Sequence, residues 1–329
     1  MSEQASASPV HIRLDGEVLV VTIDNPPVNA LRQAVRAGLQ EAVERLEQDA
    51  AARAMLIVGQ GKAFIAGADI REFGKPPMAP FLPEVLNRME AGGKLVVAAI
   101  HGPALGGGLE VAMATHYRLA LPGAKLGLPE VNLGLLPGAG GTQRSPRLMG
   151  ALPAAELMLS GKHLSAKAAL AAGLVDKLAE GEDPVAAGLA YVRELLASGT
   201  QPRRTCDLEV ADKAAALAAL DQLAQDTAKK TRGLFSPAKI IECVKAAVQM
   251  PFAEGVKRER ELFLECLNSP QRAGLVHAFF AERETAKIPE AKAAAPRHFA
   301  KLAIIGGGTM GAGITVAALD AGLSVVMIE

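Results

Sequence analysis

Three short stretches of the chain, Val18–Ile23, residues 55–58 and Leu95–Ile100, are apolar almost without interruption and rich in β-branched side chains. Runs of this kind, lacking polar alternation, predict strands buried on both faces. Between the first two, Leu31, Val35, Leu39, Val43 and Leu46 recur at spacings of four, four, four and three. That period predicts a helix with a single apolar face. Strand and helix patterns alternate over residues 10–190, which predicts an α/β fold and not a bundle or a sandwich. Past Gly199 the strand pattern stops. Residues 207–230 are alanine-rich and helical in pattern, and Ser236-Pro237 and Ser269-Pro270 each read as an N-cap with proline at the first helical position. Residues 200–288 thus predict three or four helices and no strand. Residues 288–296 have the composition of a linker, and from Lys301 the β pattern resumes. There a strand at 302–305, a glycine turn, a helix near 309–321 and a strand over Ser324–Ile328 follow in order.

Length and composition narrow the class. At 329 residues the expectation is two domains or one large α/β domain. Half the residues are apolar and 21% are charged, which excludes a disordered or collagen-like chain. Lysine plus arginine equals aspartate plus glutamate, 35 against 35, and aromatics are only 3%, so no basic or base-stacking surface for nucleic acid is expected. Cys206, Cys243 and Cys266 have the spacing of neither a disulfide framework nor a zinc site, and no metal is expected. The first residues lack a basic region and an apolar core. The uncharged segment 95–109 is interrupted by Gly102, Pro103 and three further glycines, so no membrane insertion is expected and the protein reads as cytoplasmic.

Candidate chemistry lies just past the predicted strand ends, where open α/β folds bind ligands. Segment 61–70, GKAFIAGADI, follows the second strand, and segment 101–110, HGPALGGGLE, follows the third. Gly106, Gly107 and Gly108 run into a predicted helix over 109–115. Its free N–H groups could hold an anion, including a developing oxyanion, or the loop could be only a tight packing turn. Glu110 falls on the first turn of that helix, and Glu130 in a loop dense with glycine and proline over 127–144. Both have apolar neighbours, which raise a carboxyl pKa and suit proton transfer near neutrality. Each could equally be a helix-terminal or a surface glutamate.

The segments AGADI (66–70), GGGLE (106–110), Pro129-Glu130 and PGAGGTQR (137–144), in this order, resemble the enoyl-CoA hydratase (crotonase) superfamily over about residues 10–195. The resemblance implies a crotonase-type ββα spiral with acyl-CoA bound between the two glycine loops. It further implies an oxyanion hole from the N–H groups of Ala68 and Gly107, and a water held by Glu110 and Glu130 for addition across C2=C3. Ala66, Asp69 and Ile70 would contact the substrate, and segment 25–31, NPPVNAL, would lie beside the CoA moiety. Hydration would need no cofactor. Isomerases of this superfamily commonly keep only the glutamate corresponding to Glu130, so having both favours hydration, with Δ3,Δ2-enoyl-CoA isomerisation as an alternative. A non-catalytic acyl-CoA or NAD binding module is the alternative of another class.

A second motif lies near the end. Gly306-Gly-Gly-Thr-Met-Gly311 fits G-x-G-x-x-G between a predicted strand and helix, and Glu329 closes the next strand 21 residues after Gly308. That is the context of a dinucleotide fingerprint. Gly306 would make the turn, Gly308 would admit the pyrophosphate, Gly311 would allow helix and strand to pack, Thr309 and Met310 would offer N–H groups, and Glu329 would accept from the ribose, favouring NAD. The order of modules resembles the bifunctional β-oxidation enzymes that join enoyl-CoA hydratase to 3-hydroxyacyl-CoA dehydrogenase. The resemblance extends to 251–283, where the run 257–261, KRERE, reads as a solvated helix face. The organisation expected is a hydratase domain over 1–198, an all-helical linker over 199–296, and over 297–329 the first βαβ unit of a Rossmann-type NAD-binding domain. None of the six histidines follows the glycine motif. The chain is therefore expected to be part of a longer protein, with its NAD site incomplete and NAD affinity poor or nil. The oligomer could be a monomer or a small homo-oligomer, and a thiolase partner is implied by family analogy alone.

Overall fold

The computed structural model describes residues 8–69, 72, 76–231, 233–285, 287–288, 290, 294–295 and 297–329. These form two compact units, Met1–Ala278 and Phe279–Glu329.

The first unit opens with a hairpin, β1 (Val10–Asp15) and β2 (Val18–Ile23), followed by α1 (Gln33–Gln48) and β3 (Ala54–Gly59). Next come α2 (Leu82–Ala91), β4 (Leu95–Ile100), β5 (Pro103–Leu105), α3 (Gly107–Met113), β6 (Tyr117–Ala120) and β7 (Lys125–Gly127). A 3-10 helix (Pro129–Leu133) leads to α4 (Gly141–Met149), α5 (Ala151–Ser160), β8 (His163–Ser165), α6 (Ala166–Ala171), β9 (Lys177–Leu178) and α7 (Pro184–Ala197). The main sheet has the order β1-β2-β3-β4-β6-β9, parallel except for the opening hairpin, and β5-β7-β8 form a smaller second sheet. Successive ββα turns stack in this way into a spiral.

Unbroken apolar strands arise because both faces of the sheet are covered. Leu19, Val21, Met55, Ile57, Val96 and Ala98 face the core shared with α1, α3 and α5. Their alternates Val18, Val20, Leu56, Val58, Val97 and Ala99 face α7, through Leu189, Val192 and Leu195. The predicted strands form where the pattern put them, whereas α1 starts only at Gln33, so Leu31 lies before it in a β-bridge to Ala68 and not on the helix face.

Helices α8 (Lys213–Thr231), α9 (Phe235–Gln249), α10 (Phe252–Leu267) and α11 (Pro270–Thr285) follow. Leu220, Ile240, Ile241, Val244, Val248 and Leu262 are buried in the same core cluster as the spiral. Two boundaries differ from expectation. α8 begins at Lys213 and not near 207, after a short 3-10 turn at Thr205–Asp207. Ser236 is not an N-cap: α9 starts at Phe235 and Ser236 is buried within its first turn. Ser269, in contrast, does cap α11, its Oγ accepting from Arg272 N at 3.1 Å.

In the second unit β10 (Lys301–Ile305), α12 (Thr309–Asp320) and β11 (Ser324–Ile328) form one parallel βαβ turn. Gly306 turns the chain with φ +100° and donates its N–H to Ile328 O at 2.7 Å. A Cβ at Gly311 would stand 1.8 Å from Gly306 O, so only glycine lets helix and strand approach there.

Candidate active site

The two glycine loops interlock. Ile65 N donates to Pro103 O (3.2 Å) and Leu105 N to Ile65 O (3.0 Å), forming a bridge between Ile65 and Ala104. Gly108 crosses so closely that a Cβ would lie 2.0 Å from Ile65 O. Such a contact, to backbone, leaves room for no other residue. Gly106, at φ +52° and ψ −127°, turns the chain into α3. The helix therefore starts at Gly107, two residues earlier than predicted.

This placement brings Ala68 and Gly107 together: a Cβ on Gly107 would be 3.8 Å from the Ala68 nitrogen. Gly107 N–H belongs to the first turn of α3, where no helical carbonyl is available. Leu31 N donates to Gly67 O in the bridge between Leu31 and Ala68, so that pairing uses a group flanking Ala68 and not its own N–H. Ala66 donates its N–H to Val28 O at 3.0 Å, tying the loop to the 25–31 segment. Asn29, buried in the left-handed region at φ 55°, fastens the same segment: its Nδ2 donates to Gln60 O, Ala63 O and Phe64 O, and its Oδ1 accepts from Asn25 N. Asp69 stands half-buried next to Ala68, and Ile70 lies outside the described residues.

The two glutamates are carried by different elements. Glu110, buried on α3, accepts through Oε1 from Ala139 N (2.7 Å) and Gly141 N (2.8 Å), at the start of α4. Glu130 belongs to the 3-10 helix and not to an irregular loop, and its Oε1 lies 2.9 Å from where a Cβ on Gly106 would be. Its Oε2 is buried and has no hydrogen-bond partner among the described residues. Burial raises the proton affinity of Glu110, opposed by the Ala139 and Gly141 N–H groups and the Arg144 charge. Glu130 is raised well above the usual carboxylate range, by burial first and then by the negative charge of Glu110. Glu110 thus has two N–H donors that favour its ionised form, whereas Glu130 Oε2 has none among the described residues.

Sequence reasoning missed a third carboxylate. Within the run 257–261, read as solvated, Glu259 is 1% exposed. It accepts from Gly140 N (2.7 Å), Thr142 N (3.1 Å) and Thr142 Oγ (2.5 Å). The signal was the helix register: Gly255, Glu259, Leu262 and Cys266 are the buried residues of α10, at steps of four, three and four. Arg144, fully buried, is also fixed, pairing with Glu90 (Nη2–Oε2 2.8 Å) and donating to Ala139 O.

In the second unit, Gly308 caps α12 with open space where its Cβ would be, and Glu329 Oε2 lies 2.6 Å from where a Cβ on Gly307 would be. Thr309 and Met310 open α12, and Met310 is exposed. The turn itself carries no side chain at 306–308, with the Glu329 carboxylate beside Gly307.

A ββα spiral with interlocked glycine loops, a buried Glu110 and a half-buried Glu130 is a crotonase-type fold. The chain belongs to the enoyl-CoA hydratase/isomerase family, whose pattern matches residues 13–246. It is 41% identical over 317 residues to the peroxisomal bifunctional enzyme of Danio rerio, covering 95% of this chain and 44% of that protein. It is 39% identical over 336 residues to the peroxisomal fatty acid beta-oxidation multifunctional protein of Oryza sativa subsp. japonica, covering 97% and 46% respectively. The chain thus spans less than half the length of these curated relatives. Among solved structures, an enoyl-CoA hydratase/isomerase from Pseudoalteromonas atlantica superposes with a TM-score of 0.60 at 26% identity, covering 88% of this chain and all of that one. DspI of Pseudomonas aeruginosa does so with a TM-score of 0.55 at 32% identity, over 60% and 83%.

Proposed function

We propose that this chain hydrates trans-2-enoyl-CoA to 3-hydroxyacyl-CoA. The observation that carries the reading is the pair Glu110, held by two backbone N–H groups, and Glu130, with an unpartnered buried Oε2, in a fold that also sets the Ala68 and Gly107 nitrogens close together. The thioester oxygen binds the N–H groups of Ala68 and Gly107. Carboxylate Glu110 takes a proton from water as its oxygen bonds to C3, and the C2=C3 electrons move onto the thioester oxygen. The enolate then collapses, C2 takes the proton held by Glu130, and after product release Glu110 gives its proton up and Glu130 regains one, by exchange with solvent. Each N–H donor of such a hole is worth about 3–4 kcal/mol of barrier. No cofactor enters this reaction.

The expected outcome is rapid loss of the conjugated-thioester absorbance of crotonyl-CoA, slowed at least about 100-fold in Glu110→Gln and in Glu130→Gln. No loss with the unaltered chain overturns the reading. The unpartnered Oε2 of Glu130 also favours double-bond isomerisation, in which the ionised form of Glu130 takes a proton from C2 of a 3-enoyl-CoA and returns it to C4. With a 3-enoyl-CoA, Glu110→Gln should keep isomerising while Glu130→Gln should not.

The domain organisation expected from the sequence, and a longer protein that also oxidises 3-hydroxyacyl-CoA with NAD, remain part of this reading. The names and lengths of the relatives support it. Gly306, Gly308, Thr309, Met310 and Gly311 would hold the pyrophosphate, and Glu329 the ribose. When bound, NAD supplies a hydride acceptor. Calorimetric titration with NAD, repeated with Glu329→Ala, tests whether these residues bind it. The reading also includes a reducing compartment, supported by three cysteines that are all unpaired. No helix among the described residues is long and apolar enough to cross a membrane.

A further inference from the structure

Four consecutive backbone N–H groups at the entry to α4 are shared alternately between two carboxylates. Ala139 and Gly141 donate to Glu110, and Gly140 and Thr142 donate to Glu259. The two side chains come from elements almost half the chain apart and grip one short loop from opposite sides. α10 presses on this loop along a whole face. A Cβ on Gly138 would lie 2.6 Å from the Phe263 ring, and one on Gly255 would lie 2.1 Å from Gln143 Oε1. Phe263, Glu259 and Gly255, spaced at four-residue steps, thus track the loop from 138 to 143.

We propose that Glu259 is a positioning residue for the hydration reaction: by holding Gly140 and Thr142 it fixes the direction of the Ala139 and Gly141 N–H groups, and through them the Glu110 carboxylate. The proposal rests on the hydratase reading for its kinetic consequence, though not for its geometry. A carboxylate suits the task because both its oxygens accept, one from Gly140 and the other from Thr142 N and Oγ. An amide of the same shape keeps only one acceptor oxygen and leaves a buried donor on this row unmatched.

The electrostatics follow from the same placement. Burial and then the Glu110 charge push Glu259 up to about 8, with the Thr142 hydroxyl and the Gly140 and Thr142 N–H groups pulling the other way. The charged and titratable groups around it are Glu110 on α3, Glu130 on the 3-10 helix, Arg144 on α4 beside Glu110, and Cys243 on α9.

The test uses the full chain and Glu259→Gln. The expected result is a kcat for crotonyl-CoA lower by about 10- to 100-fold with KM within about twofold, because a small misplacement of a reacting group costs rate more than binding. The inflection near pH 8 in the kcat profile should also disappear. Should Glu259→Gln not fold, Thr142→Val removes only the hydroxyl that favours the ionised form, and the inflection should move to higher pH. A separate readout needs no substrate: in glutamate-carboxyl-labelled protein, the Glu110 resonance, identified by its loss in Glu110→Gln, should titrate at higher pH in Glu259→Gln, because the Ala139 and Gly141 N–H groups that favour its ionised form are held less firmly. If folded Glu259→Gln shows unchanged kcat, an unchanged pH profile and an unchanged Glu110 titration, the proposal is wrong. An unmoved inflection in Thr142→Val likewise counts against it. Absence of hydration in the unaltered chain would end the hydratase reading, and the Glu110 titration would still decide the role of Glu259.

Discussion

Single residues show how tightly polar groups are matched inside this chain. His116 is fully buried, with its Nδ1 accepting from Val96 N (3.0 Å) and its Nε2 placed 3.1 Å from Glu90 O. The Val96 donor fixes the neutral ring with its proton on Nε2, since a charged ring would set two N–H groups against each other. Burial is the main cause that lowers its proton affinity, so folding favours the uncharged ring. Stability from this site is full above the free-histidine value of about 6.5 and falls as the pH drops towards the folded value, by at most about 1.4 kcal/mol per pH unit. Thermal unfolding between pH 7 and pH 5 should show this loss. His116→Gln should be less stable at pH 7 and show a flatter dependence. None of this was legible in the sequence, because a lone histidine between Thr115 and Tyr117 shows nothing of its surroundings. Glu110 and Glu130 were legible, since glycine- and proline-rich loops set them apart, whereas Glu259 was hidden among four charged neighbours.

At the level of elements, the faces of the sheet explain what sequence pattern could reveal. β2 and β4 were readable to the residue because both faces are buried and every position but Thr22 is apolar. β8 and β9, of three and two residues, carry almost no periodic signal, and they are defined by the strands they pair with. Helix α7 closes the second face, and its start depends on Asp183, whose carboxylate accepts from Val185 N (2.8 Å) and Ala186 N (3.2 Å). Asp183→Ala should cost about 1 kcal/mol, and Asp183→Asn much less, since asparagine is as good a cap. The urea midpoint, at unchanged slope, measures the difference.

At the level of the whole molecule, α8–α10 are structural parts of the spiral's core. Ile240, Ile241, Val244, Val248, Leu220 and Leu262 are all buried in it. Burial of each such side chain is worth about 1.5–3 kcal/mol, so the six together are comparable with the 5–15 kcal/mol that holds a typical domain folded. A chain ending at residue 198 should therefore lose cooperative thermal unfolding and bind a hydrophobic dye, whereas the full chain should do neither. Alanine-rich helical pattern announced the helices but not their docking, because α8 shows only Leu220 fully buried and little contrast between its faces.

The alternating row of N–H groups at 139–142 also has a consequence in time. A ribosome completes Glu110 and its loop early, yet the residue that holds the loop from the other side arrives more than a hundred residues later. At roughly 5–20 residues per second, that interval is of the order of ten seconds. During it the nascent spiral has its glycine loops and both glutamates, but not the outer grip on Glu110. On the role proposed for Glu259, hydration competence is set late in synthesis, by a helix far downstream of the groups it serves.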